Sequence, residues 1–352
     1  MKKLSRMTAL SLAVTLAATT LTGCGGDKPT QPSSGAEPSG AAAQEPVTLQ
    51  WAFTPPDGST DHTWHKKVAD LVNEYTGGIV TYEFYPGGIL GNEKVALEGI
   101  LSGTINQASI SPNVVATVIP EFNVLCLPFV FDNIEHFYAV VSSDEYYEKM
   151  NEAANKVGLQ YLGLDYAAPR NIATKSPVYT PDDAKGQVLR VMDGSIYTDM
   201  MAAWGFGSSV ISYGEVYTAL QQGVVDGVEN SNDGNLTMKF NEVASYTTNT
   251  DHVYHAQSTF MNLDLWNSFS LETRDGIEQA WKENYDVIVG EVASLGAEFS
   301  EKVKEAGGTV IDLDAESRQI WVDASKPLYE KYRGVIGEEF YDWFIDLAES
   351  KK

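Results

Sequence analysis

Cysteine, positive charge and long apolar runs are all scarce in this sequence of 352 residues, and each shortage excludes something. There are two cysteines, Cys24 and Cys126. Cys126 stands in the run Val124-Leu125-Cys126-Leu127 and reads as a small buried hydrophobe, so no intramolecular disulfide is expected. Lysine and arginine number 24 against 48 aspartates and glutamates, for a net charge of −24. That balance argues against nucleic acid as a partner. The apolar run at residues 7–21 is too short to span a membrane. Catalytic signatures are missing too. No G-x-S-x-G elbow, phosphate loop or serine–histidine–aspartate arrangement is legible. Gly205-Phe206-Gly207 lies between a predicted helix and a predicted strand, the reverse of the order a dinucleotide pyrophosphate needs. Two histidine pairs, His62 with His65 and His252 with His255, have i,i+3 spacing. The first lacks the acid and third ligand of a zinc site, and the second falls in extended chain. An exported enzyme working on an acidic metabolite would need one of these devices. The expectation is therefore a protein that is not an enzyme and uses no cofactor or metal.

What is present begins with a targeting segment. Lys2, Lys3 and Arg6 precede the apolar run, and Leu21-Thr22-Gly23-Cys24 has the form of a lipobox. Residues 1–23 are read as a lipoprotein signal peptide and Cys24 as the lipid-modified first residue. The expected location is extracytoplasmic, with membrane attachment through the lipid. Those 23 residues carry three cations and no anion, so their loss takes the net charge from −24 to −27. Residues 24–46 are rich in Gly, Pro, Ser, Ala and Gln and read as a flexible tether.

From residue 47 onwards there is enough chain for two domains with sizeable cores. Val47, Leu49, Trp51 and Phe53 alternate as a strand. A helix over residues 60–75, capped by Thr60 or Asp61, leads to a strand at 79–85. A helix at 92–101 and a strand at 105–110 complete a βαβαβ run, which implies a mainly parallel sheet with flanking helices. Residues 133–157 read as helical and 159–166 as a strand. A helix near 236–245 and extended chain over 247–262 follow. Residues 271–306 form the longest helical run, which at ~1.5 Å per residue would reach across two domains.

The most informative stretch is Lys185 to Asn230. It holds a strand at 188–192, a helix at 195–204, a strand at 208–212, a helix at 215–222 ending at Gly223, and a strand at 224–228 running into Glu229 and Asn230. The single cation of the first strand is Arg190. By pattern alone it fits two roles, a buried ion pair with a local acid or a clamp for a small anion.

Three strings in this order, IPEFNVLCLPFVFDN, KGQVLRV and GEVYTALQQGVVDGVEN, resemble the solute-binding proteins of tripartite ATP-independent periplasmic (TRAP) transporters, in the dicarboxylate-binding family. The resemblance runs from about residue 47 to 307. It implies an α/β fold of the two-domain periplasmic-binding-protein kind, with a ligand cleft between the domains and a long helix spanning both. The implied division is residues 47–166 with 255–296, and residues 167–254 with 297–352. The implied function is an extracytoplasmic receptor that binds a small organic acid and delivers it to the transporter's membrane subunits. A sulfonate in place of the carboxylate, or a sensory role, remains open.

Site residues follow from the resemblance position by position. Arg190 would grip the carboxylate with two parallel hydrogen bonds, which suits a guanidinium better than an ammonium. Asn230 would offer a neutral donor, and Tyr213 a ring against the ligand. Arg170 would be a second cation, although Ala167-Ala168-Pro169 stands before it where relatives show Gly. Val228 and Ser231 depart from the Gln and Pro common in the family. Glu93 and Ser111 would read the far end of the ligand, and His252 would border the cleft.

Overall fold

The computed structural model describes residues 45–352, apart from the side chains at 290, 293 and 294. The expected signal peptide, Cys24 and nearly all of the tether lie outside the described residues. No helix among the described residues is long and apolar enough to cross a membrane.

The strands, in chain order, are β1 (Val47–Ala52), β2 (Val80–Tyr85), β3 (Gln107–Ile110), β4 (Leu159–Leu164), β5 (Ala168–Thr174), β6 (Val188–Val191), β7 (Gly207–Val210), β8 (Gly227–Ser231), β9 (Tyr246–Asn249), β10 (Tyr254–His255), β11 (Ser258–Asn262) and β12 (Thr309–Asp312). They form two sheets. The first has the order β2-β1-β3-β11-β4, and the second β12-β9-β5-β8-β6-β7 with β10 added to β5. Pairs β1–β2 and β1–β3 are parallel, as the βαβαβ pattern requires, while β11 enters antiparallel between β3 and β4. In the second sheet β6 lies parallel between β7 and β8. The carboxyl ends of β1, β3, β6 and β7 open toward one cleft, the edge at which α/β sheets gather ligands.

Several boundaries differ from expectation, each for a local reason. The strand expected at 224–228 is displaced to Gly227–Ser231. Val224 and Val225 instead form a turn after Gly223, which takes the left-handed conformation as helix cap. Asp226 then clips that turn to β6 by accepting from the Val188 N–H at 2.8 Å. The helical run 133–157 is two helices, Ile134–Val141 and Asp144–Asn155, because Ser143 caps the second one. In place of a helix over 236–245 there are a short helix, Asn232–Thr237, and a 3₁₀ turn, Phe240–Glu242. Lys239, at φ 58°, turns the chain between them. Ser59, rather than Thr60 or Asp61, caps the helix Thr60–Tyr75 by accepting from the His62 N–H.

We propose the division into two lobes as one lobe around each sheet. The helix Leu271–Glu305 packs along Thr60–Tyr75 of the first lobe and along Asn232–Thr237 of the second. The last helix, Glu338–Ser350, returns to the first lobe, where Phe344 meets Phe131 and Tyr146. Residues 297–352 therefore straddle the division. Behind the cleft one apolar cluster runs continuously from Phe122 and Phe137 through Met200 and Trp204 to Trp321. Cys126, a free thiol, is buried in it as expected.

Candidate functional site

The cleft is a cavity of about 300 Å³ whose lining includes all six expected ligand residues, Glu93, Ser111, Arg170, Arg190, Tyr213 and Asn230. That volume suits a small molecule.

Arg190 sits on β6, in register with Ser209 of β7 and Val228 of β8, so its backbone is held from both sides. Its Nε donates to the Ile211 carbonyl at 2.8 Å. Its guanidinium carbon lies 5.7 Å from the Tyr213 ring centre. The side chain is 3% exposed, yet Nη1 has no protein partner. Burial, and then repulsion from Arg170, pull its pKa down to about 10, so it stays charged at neutral pH.

The buried ion pair that one reading gave to Arg190 belongs to Arg170. Its Nε meets Glu229 Oε1, while Nη2 donates to Oε2 at 2.8 Å and to the Glu229 carbonyl at 2.7 Å. Cross-strand geometry produces this fork, since β5 and β8 are antiparallel with Arg170 opposite Ser231 and Ile172 opposite Glu229. Burial opposes ionisation of Glu229, but the Arg170 charge and a hydrogen bond from His252 hold its pKa down to about 2. His252 is placed behind the site, 3.1 Å from Glu229 Oε1, and is absent from the cleft lining, contrary to expectation. Its burial against Trp204 explains this. His255 lines the cleft in its stead, and burial keeps that imidazole neutral by lowering its pKa to about 3.

Asn230 uses its Nδ2 toward Asn235 Oδ1 at 3.2 Å and accepts weakly from Arg170 Nη1 at 3.5 Å. Tyr213 stands in a 3₁₀ turn, edge-on to Phe240, with burial raising its phenol pKa. On the opposite wall Glu93 opens the helix Glu93–Ser102, which Asn92 caps. Its Oε1 accepts from Ser111 Oγ at 2.8 Å, Gln257 Nε2 at 2.9 Å and Thr54 Oγ1 at 3.3 Å. Burial nevertheless raises the Glu93 pKa. His62 and His65 do not converge on one ligand position. They go to different acids, Asp57 at 2.8 Å and Asp165 at 2.7 Å.

With this geometry in view, a family model for bacterial extracellular solute-binding protein, family 7, matches residues 52–334. The chain belongs to that family. Its members are receptors for solutes and not enzymes. This solute-binding protein is 27% identical over 302 residues to the C4-dicarboxylate-binding periplasmic protein DctP of Rhodobacter capsulatus, covering 85% of this chain and 90% of the other. It is 26% identical over 298 residues to the sialic acid-binding periplasmic protein SiaP of Vibrio cholerae, covering 85% and 92%. A TRAP periplasmic solute-binding protein from Roseobacter denitrificans with bound β-D-glucuronate matches with TM-score 0.80 at 25% identity, covering 87% of this chain and 100% of that one. The sugar acid binding protein of Advenella mimigardefordensis in complex with galactonate gives 0.81 at 25% identity, covering 88% and 99%. The fold is thus that of the two-domain TRAP receptors.

Among the polar lining residues of this solute-binding protein that sequence reasoning missed are Asp61, Lys94, Asp233, His255 and Gln257. For Asp61 a signal existed. Ser59 two residues earlier is the better helix cap, which releases the Asp61 carboxylate for the cleft. Asp233 and Gln257 gave none, because only the packing of distant segments brings them to the same cleft.

Proposed function

We propose that this receptor binds a small organic acid by closing on its carboxylate with Arg190, and then presents the closed form to the membrane subunits of a TRAP transporter. The observation that carries the reading is a charged guanidinium, buried and fixed by Nε, with Nη1 left without a protein partner in the lining of the cleft. A buried donor of that kind is costly unless something accepts from it, and a carboxylate fits its fork. Glucuronate and galactonate, held by the two solved relatives, each carry one carboxylate.

Arg170 plays a different part. Paired with Glu229, it braces β5 against β8, adds positive potential to the cleft and keeps the Asn230 amide oriented. Tyr213 covers the ligand from the second lobe while Glu93 and Ser111 meet it from the first. Cys24 carries the lipid and residues 24–46 the tether, which keeps the receptor near its transporter.

Calorimetry tests the clamp. Arg190→Ala should remain folded and lose about 3–5 kcal/mol of binding, because the ligand carboxylate is left buried without a counter-charge. That is a loss of roughly two to four powers of ten in affinity. Arg190→Lys should recover part of it, keeping the charge without the fork. A folded Arg190→Ala protein that binds within threefold of the parent removes Arg190 from the site.

A further inference from the structure

The charges and hydrogen-bonding groups of the cleft are unevenly divided. Of its two arginines, Arg170 is already neutralised by Glu229, which leaves Arg190 as the buried cation free to meet a ligand anion, while Lys94 lines the cleft as an exposed side chain. On the other side stand carboxylates without cation partners. Asp61 begins the first-lobe helix Thr60–Tyr75, and Asp233 lies in the second-lobe helix Asn232–Thr237. Both line the same cavity, so they face the ligand space from opposite lobes. Asp233 is 6% exposed and its Oδ1 has no hydrogen-bond partner. Gln257, also in the lining and buried, gives its Nε2 to Glu93 and leaves its Oε1 without a partner. Asp233 Oδ1 and Gln257 Oε1 are therefore buried cleft acceptors that lack a donor. Buried acceptors left unfilled are unfavourable, and a second anion brought among them is worse. Burial, then the nearby Asp233 charge, push the Asp61 carboxyl up to about 7.

We infer that the cleft selects a monocarboxylic acid whose other end is rich in hydrogen-bond donors and carries no negative charge, with Asp61, Asp233 and Gln257 as its specificity-determining acceptors. Succinate and similar C4-dicarboxylates are rejected, although some relatives are named for binding them. The donors are hydroxyl groups, as on a sugar acid, or an ammonium, as on an amino acid. Either supplies the hydrogens these acceptors lack. The inference rests on Arg190 taking the carboxylate.

Calorimetry on the purified protein separates the alternatives with four probes: D-galactonate and D-glucuronate for hydroxyl donors, 4-aminobutanoate for an ammonium donor, and succinate for a second anion. At least one donor-bearing probe is expected to bind 100-fold or more tightly than succinate, and its class identifies the donor. Asp61→Asn and Asp233→Asn should each narrow that ratio at least tenfold. The preferred probe weakens and succinate gains, because an amide keeps one acceptor oxygen and removes the carboxylate charge, which Asp61 at about 7 carries only in part near neutral pH. Succinate binding as well as the donor-bearing probes, no binding by any of those probes, or ratios unchanged in both variants would overturn the inference. Arg190→Ala distinguishes this failure from that of the underlying reading. If binding of the preferred probe survives Arg190→Ala, the clamp is wrong. If binding is lost there but the ratios do not move in the aspartate variants, only the distal subsite is wrong.

Discussion

Two arginines of similar burial do opposite things in this protein, and the difference lies in one neighbour each. Arg170 reaches diagonally across an antiparallel pair to Glu229 and is fully forked. Arg190 meets only a backbone carbonyl through Nε. Removing the acid from the first pair should be severe. Glu229→Gln would leave Arg170 buried without its counter-charge, at a cost of about 3–5 kcal/mol in folding stability. The pH dependence carries a distinct sign. Glu229 has its pKa lowered from the usual 4.5 to about 2 in the folded protein, so its contribution is complete above 4.5 and is lost as pH falls toward 2. Urea denaturation at pH 7 and pH 3 should show the parent losing part of this increment, since pH 3 lies between the two values, and Glu229→Gln starting without it. An unchanged urea midpoint at pH 7 would remove the ion pair from the stability account.

At the level of elements, β8 shows why part of the site was illegible in the sequence. Hydrophobic pattern places a strand on Val224 to Val228, because apolar residues announce burial. The strand actually contains Glu229 and Asn230, which are buried and polar. Their burial is tolerable only because Arg170, His252 and Asn235 supply partners from other segments. By contrast, the helix Thr60–Tyr75, the strand β2 and the long helix Leu271–Glu305 were legible nearly to the residue, since their signals are local. The start of β8 is also sterically tight. A Cβ at Gly227 would collide with the Ala173 carbonyl, a backbone atom that cannot rotate away, and lie 2.6 Å from Leu189 Cδ2. Gly227→Ala should therefore destabilise by about 1–3 kcal/mol through overpacking. Thermal melting of the unliganded protein checks this, and a variant melting within a degree of the parent would show that the sheet can spread there.

Across the whole molecule, the lobes touch at the cleft mouth, where Asn113 Nδ2 donates to the Asp193 carbonyl. Gly194 lies directly under that contact. A Cβ there would sit 3.0 Å from the Asn113 carbonyl oxygen, and its φ of +124° disfavours any L side chain. Gly194→Ala should shift the population toward an open cleft and lower apparent affinity in proportion, roughly tenfold for each 1.4 kcal/mol. Small-angle scattering should show a larger radius for the variant, and calorimetry with D-glucuronate or another acid that binds the parent should show weaker binding. An unchanged radius together with unchanged affinity would mean that this contact does not govern closure.

By itself the sequence determined the class of protein: an acidic chain with a lipobox-like start, a βαβαβ opening, a helix long enough to bridge two lobes and three strings placing it among TRAP receptors. It also drew attention to Arg190, a lone cation on an apolar strand against 48 acids, and the family resemblance rather than the pattern gave it the ligand. Tertiary structure alone decided which arginine is spent, which histidine lines the cleft and which carboxylates oppose one another. Asp61 and Asp233 are 172 positions apart in the chain, and no period or propensity links them. Their meeting depends on two sheets presenting their edges to one cavity, and long-range packing is the one quantity that local pattern does not encode.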